Sequence, residues 1–219
     1  MKIFLIVYSF FSILYLNAQV FESQSTVGTV VSMDDIFTKH LNKAAKEEIL
    51  GSPFLFPSWK NAGNIYSEGN SHTLKNLNYN ILSDEIGTLV GKDSVLVFNK
   101  AIIDSFSVKK VMFKKYNELF YQVMYDGSKI TLLKKYEINI VEGMFNPIDG
   151  TKKKSRFKTI DDYYIKNSNN IVKFTPSKRS ILSIFKEDEI RVKKFIKQNK
   201  LSFKKEIDLI KIFEYYNQL

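Results

Sequence analysis

Few residues of this 219-residue chain could perform acid–base or nucleophilic chemistry. Histidine occurs only at positions 40 and 72, and cysteine is absent. A nucleophilic triad needs a general base beside its nucleophile, yet no G-x-S-x-G or similar nucleophile motif accompanies either histidine. The histidines lack an H-E-x-x-H spacing, and without thiols a zinc-thiolate centre, an iron–sulfur centre and a disulfide scaffold are excluded. We therefore expect no metal and no cofactor, and we interpret His40 as a structural or surface histidine.

Paired carboxylates are the remaining candidates for catalysis. They occur at Asp34-Asp35, Asp84-Glu85 and Asp161-Asp162. Neighbouring residues on a strand point to opposite faces, so a strand pair cannot act together on one bond. A glycosidase needs two carboxyl groups that face each other across about 5–10 Å. We interpret these pairs as capping and turn residues and expect a non-enzymatic protein. The alternative is a secreted hydrolase that uses carboxylates of the β region, with Asp84, Glu85 and His72 as its candidates.

Positive charge is concentrated in the last third of the chain. There are 33 lysines and arginines against 23 aspartates and glutamates, but residues 20–150 contain 14 against 15, while residues 151–219 contain 18 against 8. The excess forms two clusters: Lys152, Lys153, Lys154 and Arg156, and then Lys193, Lys194, Lys197, Lys200, Lys204 and Lys205. Such a surface attracts acidic lipids, polysaccharides or acidic protein faces. The alternative is an ordinary solvated helix surface.

The first 19 residues have the layout of a secretory signal peptide. Lys2 provides a positive start, residues 3–16 are apolar and uncharged, and Asn17-Ala18-Gln19 forms a short polar end. The apolar run is shorter than the roughly 20 residues that span a bilayer, although an uncleaved anchor is the alternative. We expect cleavage near Gln19, a mature chain without a transmembrane span, and a location in the periplasm, at the outer-membrane periphery or outside the cell.

Nucleic acid is not an expected partner. An exported protein seldom meets a duplex, and arginine occurs only at positions 156, 179 and 191. Recognition of phosphates and of bases both favour the planar arginine fork over lysine. The expected partners are therefore an envelope protein or an anionic surface made of lipid or polysaccharide.

Phe54, Phe56 and Trp59 stand close together in the segment PFLFPSW. Its two prolines exclude it from a regular central strand, because proline cannot donate to the ladder of hydrogen bonds. The three aromatic side chains either join the core or form an interface patch of a structural or assembly subunit. Both interpretations are open at this point.

The spacing of apolar residues divides the mature chain into three regions. Residues 32–50 have a helical period that begins with a capping-box pattern at Ser32 and Asp35. Residues 54–174 alternate with a period of two, as strands do, and residues 177–219 return to the helical period of 3.6. The chain should therefore contain one helix, then a run of strands, then two or three helices.

The alternating region predicts an antiparallel sheet. Asp126-Gly127 between two alternating runs is the strongest hairpin signal, residues 167–170 indicate a second hairpin, and a phase slip at Lys109-Lys110 indicates a bulge or a turn. Segregated strands and helices predict an α+β fold: an N-terminal helix, an antiparallel β-meander of about 7–8 strands in a curved open sheet or partial barrel, and C-terminal helices. We expect residues 20–176 to form the helix and sheet region and residues 177–219 a basic helical segment packed on the sheet.

Three stretches carry a resemblance to a known group of proteins. They are Gly51-Ser52-Pro53-Phe54, residues 77–86 (LNYNILSDEI) and the helical tail of residues 178–219 that ends in EYYNQL. With the NAQ end of the signal peptide, the chain resembles small secreted β-rich proteins of Bacteroidota whose activity is uncharacterised. Phe54 stands where the resemblance leads us to expect tyrosine. The resemblance implies an extracytoplasmic β-rich body with C-terminal helices, and it implies no activity.

Taken together, these features predict an exported, non-enzymatic binding or accessory protein of the cell envelope. We expect its Lys-rich last third to engage an acidic partner or a membrane surface. Because the chain has no cysteine, an exported form would depend on core packing without disulfides.

Overall fold

The structure is a computed structural model that describes residues 27–38, 49–168 and 170–219. The predicted signal peptide and His40 lie outside the described residues. Within them, the chain forms twelve strands: β1 (Gly28–Ser32), β2 (Gly63–Ser67), β3 (Asn70–Leu74), β4 (Leu77–Asn80), β5 (Glu85–Leu89), β6 (Ser94–Phe98), β7 (Ser105–Val108), β8 (Val111–Tyr116), β9 (Leu119–Tyr125), β10 (Thr131–Val141), β11 (Arg156–Asn167) and β12 (Asn170–Phe174). The same residues form four α-helices: α1 (Met33–Thr38), α2 (Lys178–Ile184), α3 (Glu189–Gln198) and α4 (Glu206–Gln218). None of these helices has the length and apolar content needed to cross a bilayer.

The strands pair in two open antiparallel sheets. The smaller sheet has the order β1-β6-β5-β4, and the larger has the order β12-β11-β10-β9-β8-β7-β2-β3. The α+β class is therefore confirmed in its broad form, whereas the single meander of about 7–8 strands is wrong. The strands from β7 to β12 do form a meander, but those from β4 to β6 leave it, pair with β1 and pack against the larger sheet. Alternation of side chains identifies a strand but does not determine which sheet the strand joins.

The predicted N-terminal helix is shorter and placed differently in the structure. Strand β1 precedes α1, so the first described element is a strand and the helix is not N-terminal. Ser32 forms the predicted N-cap: the Asp35 amide donates to Ser32 Oγ at 3.1 Å. The Asp35 carboxylate accepts from the Ser32 hydroxyl at 2.7 Å, where a full capping box would accept from the Ser32 amide. Residues 39–48 of the predicted helix lie outside the described residues.

Two-residue turns connect several neighbouring strands. Glu68-Gly69, Lys109-Lys110 and Asn117-Glu118 all have positive φ at both positions, as type I′ hairpin turns require. The turn predicted at Lys109-Lys110 is therefore confirmed. The pairing of β9 with β10 around Asp126-Gly127 and the pairing of β11 with β12 are confirmed as well.

One face of the larger sheet is covered by two different layers. On β10, alternation places Leu132, Lys134, Tyr136 and Ile138 on the same face. Tyr136 and Ile138 pack against a cluster that includes the smaller sheet, whereas Leu132 belongs to a cluster formed with α2, α3 and α4. The smaller sheet thus covers one end of this face, and the helices cover the other.

Both halves of the core contain packed aromatic rings. The half beneath the smaller sheet is aromatic, with the rings of Phe106 and Phe113 stacked at a centroid distance of 4.6 Å and Tyr79 beside both. The helical half adds a polar clamp at the end of α4. Asn217 Oδ1 accepts from the Ile130 amide at 3.1 Å, and Asn217 Nδ2 donates to the Ile130 carbonyl at 3.0 Å. A side chain at Gly127 would collide with Asn217, so this glycine permits the close approach.

Candidate anion-binding surface

The β10–β11 ribbon extends beyond its neighbours in the larger sheet. Its strands pair over eleven positions and end at Val141↔Arg156. β9 pairs with β10 only as far as Lys134, and β12 pairs with β11 only from Tyr163 onward. The last seven residues of β10 therefore pair with β11 alone, and at the far end of the ribbon Leu50 adds an isolated parallel bridge to Arg156. We call the connection that follows, residues 142–155, the hairpin tip.

Hydrogen bonds hold the turn of the hairpin tip. Asn146 Oδ1 accepts from the Ile148 amide at 3.0 Å, and Asn146 Nδ2 donates to Asp149 Oδ2 at 2.8 Å. Asp149 Oδ1 accepts from the Thr151 amide at 2.9 Å and from the Thr151 hydroxyl at 2.7 Å. Gly150 supplies a φ of 70°, which side chains rarely tolerate. The order Asn-Pro-Ile-Asp-Gly-Thr therefore forms an ordered Asx-type turn.

The two sides of the hairpin tip are also bonded to each other. The Lys153 amide donates to the Met144 carbonyl at 3.1 Å, and the Gly143 amide donates to Ser155 Oγ at 3.3 Å. A side chain at Gly143 would collide with the Lys153 carbonyl oxygen. Below the tip, the Leu50 amide donates to the Ser155 carbonyl at 2.8 Å. The tip is thus a continuation of the ribbon and not an irregular loop.

Three large apolar side chains project from the hairpin tip. Ile148 is 94% exposed, Met144 is 76% exposed and Phe145 is 62% exposed. The exposed cations of the first predicted cluster follow them directly: Lys152, Lys153, Lys154 and Arg156. The structure therefore joins that cluster to an apolar apex that the sequence prediction did not include. The available signal was the presence of Met, Phe and Ile in a Gly/Pro loop, where neither strand requires them.

Positive charge dominates around the hairpin tip. Residues 142–158 contain five lysines and arginines and two carboxylates, Glu142 and Asp149. Hydrogen bonds from Thr151 and Asn146 hold the pKa of Asp149 below its usual range, so the carboxylate stays ionised within the turn. Five cations against two anions leave an excess of three positive charges on a narrow projection, and this arrangement attracts anions.

The second predicted cluster lies on α3 and on the connection to α4. Lys193, Lys194 and Lys197 are exposed on α3, while Val192 and Ile196 on the same helix are buried. The other cations of the cluster, Lys200, Lys204 and Lys205, are exposed in the connection. Residues 186–208 contain eight lysines and arginines but also five carboxylates. The excess is again three positive charges, but cations and carboxylates are mixed along this surface, as on an ordinary solvated helix.

The structure holds the two clusters apart. The start of α4 is fixed to the ribbon where Lys134 Nζ contacts Glu206 Oε1 at 2.5 Å. From Lys134 to Val141 the ribbon continues for seven more residues, which is about 23 Å of strand. A single small anion cannot bridge the two clusters, so each has to be considered as a separate surface.

The aromatic residues of PFLFPSW are placed mainly inside the molecule. Phe54 is 8% exposed and packs edge-on against Trp59, with ring centroids 4.7 Å apart. Phe56 is half-buried against the aromatic core. The buried amide of Asn78 clamps this segment, since its Nδ2 donates to the Phe56 carbonyl at 2.9 Å and its Oδ1 accepts from the Phe56 amide at 3.2 Å.

Asp84, a candidate of the hydrolase alternative, lines a cavity of about 280 Å³ between the smaller sheet and β10. Its carboxylate accepts hydrogen bonds from the Tyr79 hydroxyl and from the Lys100 ammonium. Burial, together with the Asp84 charge, raises the pKa of Tyr79 far above its ordinary value, so the phenol stays protonated and donates. Asp84 therefore acts as the acceptor of a local network in which each of its carboxylate oxygens already accepts a hydrogen bond.

The other hydrolase candidates do not join Asp84 in the cavity. His72 is exposed on β3, the outer strand of the larger sheet. Glu85 follows Asp84 in the chain but does not line the cavity. Among the described residues, no three histidine, aspartate or glutamate side chains are grouped so that they could hold a metal ion. Among the candidate sites, the hairpin tip is therefore the one that best combines exposure with concentrated charge.

Comparisons with known proteins add no relative. No protein-family model, no curated protein and no solved structure matches the chain. The resemblance to small secreted proteins of Bacteroidota stays a prediction from the sequence. The interpretation of the hairpin tip accordingly rests on its own geometry, exposure and charge.

Proposed function

We propose that this protein is an exported, non-enzymatic accessory protein of the cell envelope that binds an anionic surface through its hairpin tip. The observation that carries the proposal is the cation cluster of Lys152, Lys153, Lys154 and Arg156, exposed at the end of a projecting ribbon. Export is supported by the signal-peptide layout of residues 1–19.

The chemistry of the tip favours attraction to a charged surface over recognition of one defined ligand. Three of its four clustered cations are lysines, which act as compact point charges without the fixed fork of arginine. Each lysine close to an anionic membrane contributes about 1 kcal/mol, and the attraction fades within a Debye length of about 10 Å at 0.1 M salt. A projecting tip brings its charges within that distance before the rest of the molecule arrives.

The test is binding of the chain from Val20 onward to heparin and to phosphatidylcholine vesicles with and without phosphatidylglycerol, over a series of salt concentrations. We expect retention on heparin and on the anionic vesicles at low salt, and progressive release as salt is raised. If neither is bound at low salt, the proposal is wrong.

A matched pair of variants locates the surface. The tip variant K152Q/K153Q/K154Q/R156Q and the α3 variant K193Q/K194Q/K197Q/K200Q each remove four exposed cations. We expect the tip variant to lower binding at least about tenfold and the α3 variant less than about threefold, because both surfaces carry an excess of three positive charges but only the tip concentrates it on a narrow projection. Equal losses in the two variants would show that net charge, and not the hairpin tip, controls binding.

A further inference from the structure

We infer that the hairpin tip inserts Met144, Phe145 and Ile148 into the interfacial region of a lipid bilayer, so that the anionic surface is a layer of phospholipid headgroups. This inference rests on the proposed function and narrows its partner to a membrane. Anionic membranes combine the two chemistries that the tip presents together, namely negative charge at the headgroups and an apolar region a few ångströms deeper.

Exposure of apolar side chains rises along the ribbon toward the tip. Tyr136 and Ile138 pack against the aromatic core, whereas Ile140 is 38% exposed. At the tip itself Met144 reaches 76% and Ile148 reaches 94%. The apolar sequence thus continues well past the point at which the protein can bury it. Isolated exposed apolar residues are ordinary, but a group on a projection is typical of a contact surface.

The backbone of the hairpin tip is suited to transfer from water into the interfacial region of a bilayer. In an apolar environment, unpaired amide and carbonyl groups are strongly unfavourable. The tip pairs several of its own: the Asn146 amide with the Thr151 carbonyl at 2.8 Å, the Gly150 amide with the Asn146 carbonyl at 3.0 Å and the Lys153 amide with the Met144 carbonyl at 3.1 Å. Pro147 has no amide hydrogen to satisfy. Because the turn is already ordered, binding does not require a large loss of conformational freedom.

The position of the cations limits how deeply the hairpin tip can insert into the bilayer. Phe145 and Lys152 face each other in an antiparallel bridge, so the lysines begin at the level of the apolar side chains and continue away from the apex. Lysine can keep its ammonium at the headgroups while its methylene groups cover apolar surface. This arrangement fits a shallow insertion of about 5–10 Å, as in other interfacial anchors. A convex apex also suits a deformable lipid layer better than the concave face of a folded partner.

A single introduced cysteine reports on insertion, because the chain has none of its own. We would label Ile148→Cys with an environment-sensitive fluorophore and use Val90→Cys as the control, since Val90 is also exposed, at 55%, but follows β5 of the smaller sheet and is not part of the hairpin tip. We expect a blue shift and stronger emission from position 148 on phosphatidylglycerol-containing vesicles, quenching by lipid-borne quenchers, and no change at position 90.

A second variant keeps every charge and removes only the apolar apex. M144S/F145S/I148S should retain wild-type heparin binding and lose anionic-vesicle binding at least about tenfold. Its urea denaturation curve should match the wild type, because all three side chains are exposed. If label 148 is unresponsive, or if the serine variant binds vesicles as well as the wild type, insertion is wrong while the proposed electrostatic binding stands. Binding of wild type to heparin alone also overturns the lipid inference, and binding to neither probe overturns both proposals.

Discussion

At the base of the β10–β11 ribbon Leu132 is fully buried beneath the helices, whereas at the hairpin tip Ile148 is 94% exposed. The charged residues differ in the same way. Lys134 is buried and contacts Glu206 at 2.5 Å, whereas Lys153 at the tip is exposed. One pair of strands therefore presents the same residue types in two settings. The base uses them to stabilise the fold, whereas at the tip their side chains are exposed.

The electrostatics of the two ends differ for a physical reason. Burial by itself lowers the pKa of Lys134, but hydrogen bonds to Glu206 and Asp161 outweigh this effect, and the pKa is raised. The positive charge at the base is thus neutralised by neighbouring carboxylates. At the tip, the carboxylate of Asp149 is directed into the turn, and the side chains of Lys153 and Arg156 are exposed.

The largest expected contrast comes from shortening an apolar side chain at each end. Leu132→Ala should lower the free energy of unfolding by about 2–5 kcal/mol, because it leaves a cavity in the core beneath the helices. Ile148→Ala should change it by less than about 0.5 kcal/mol, since its side chain is exposed. Urea denaturation of the two variants measures both values, and comparable losses would mean that the tip also contributes to the core.

A smaller contrast is expected from removing a cation at each end. Lys134→Ala should lower the free energy of unfolding by about 1–3 kcal/mol, since it removes the cation that Glu206 and Asp161 share. The loss should lie in the lower part of that range, because both carboxylates are 43% exposed and water can hydrate them. Lys153→Ala is the control and should have an effect within about 0.5 kcal/mol. A double-mutant cycle that combines Lys134→Ala with Glu206→Gln should show that the two changes in the free energy of unfolding are not additive. Additive changes would mean that the ion pair does not stabilise the fold.

The smallest expected effect is a pH dependence of the free energy of unfolding, which Asp126 causes near the base of the ribbon. A hydrogen bond from Lys114 at 2.7 Å lowers the pKa of Asp126 from its ordinary value of 3.8. Because the folded pKa is depressed, this contribution is fully present above the unfolded value and is lost as pH falls through the folded pKa. Asp126→Asn should therefore lower the free energy of unfolding by less than about 1 kcal/mol at pH 7, and the difference from wild type should shrink below about pH 4.

The matching control for that experiment is Asp149→Asn at the tip. The Asp149 pKa is also depressed, by hydrogen bonds from Thr151 and Asn146, but the residue organises only the local turn. We expect faster amide hydrogen exchange at Thr151 with no change in global unfolding. A variant difference at Asp126 that grows as the pH falls would contradict the sign derived above.

Local features of the fold could be predicted from the sequence because they depend on neighbouring residues. The N-cap of α1 at Ser32, the turn at Lys109-Lys110 and the hairpin after β9 all form as expected. The turn at Asn117-Glu118 was not anticipated, because glutamate rarely adopts positive φ. The division into two sheets could not be predicted, because pairing of β1 with β6 joins strands that are far apart in the chain.

The candidate surface was predicted only in part for a similar reason. The cluster of Lys152, Lys153, Lys154 and Arg156 can be recognised from composition alone. The importance of Met144 and Ile148 depends on whether they are buried, and burial is a property of the packed molecule. The same holds for Asp84, which the sequence offers as a candidate base and the structure places beneath the Tyr79 hydroxyl and the Lys100 ammonium.

The sequence by itself determined the α+β class in its broad form, the positions of most strands and C-terminal helices, the location of excess positive charge and the absence of thiol chemistry. These properties follow from local periodicity and composition. Only the tertiary structure decided that the strands form two sheets, that Lys134 is neutralised within the fold and that Ile148 stands exposed at the end of a projecting ribbon. The reason is that pairing and burial are set by contacts between distant parts of the chain, whereas periodicity reports only which residues could make them.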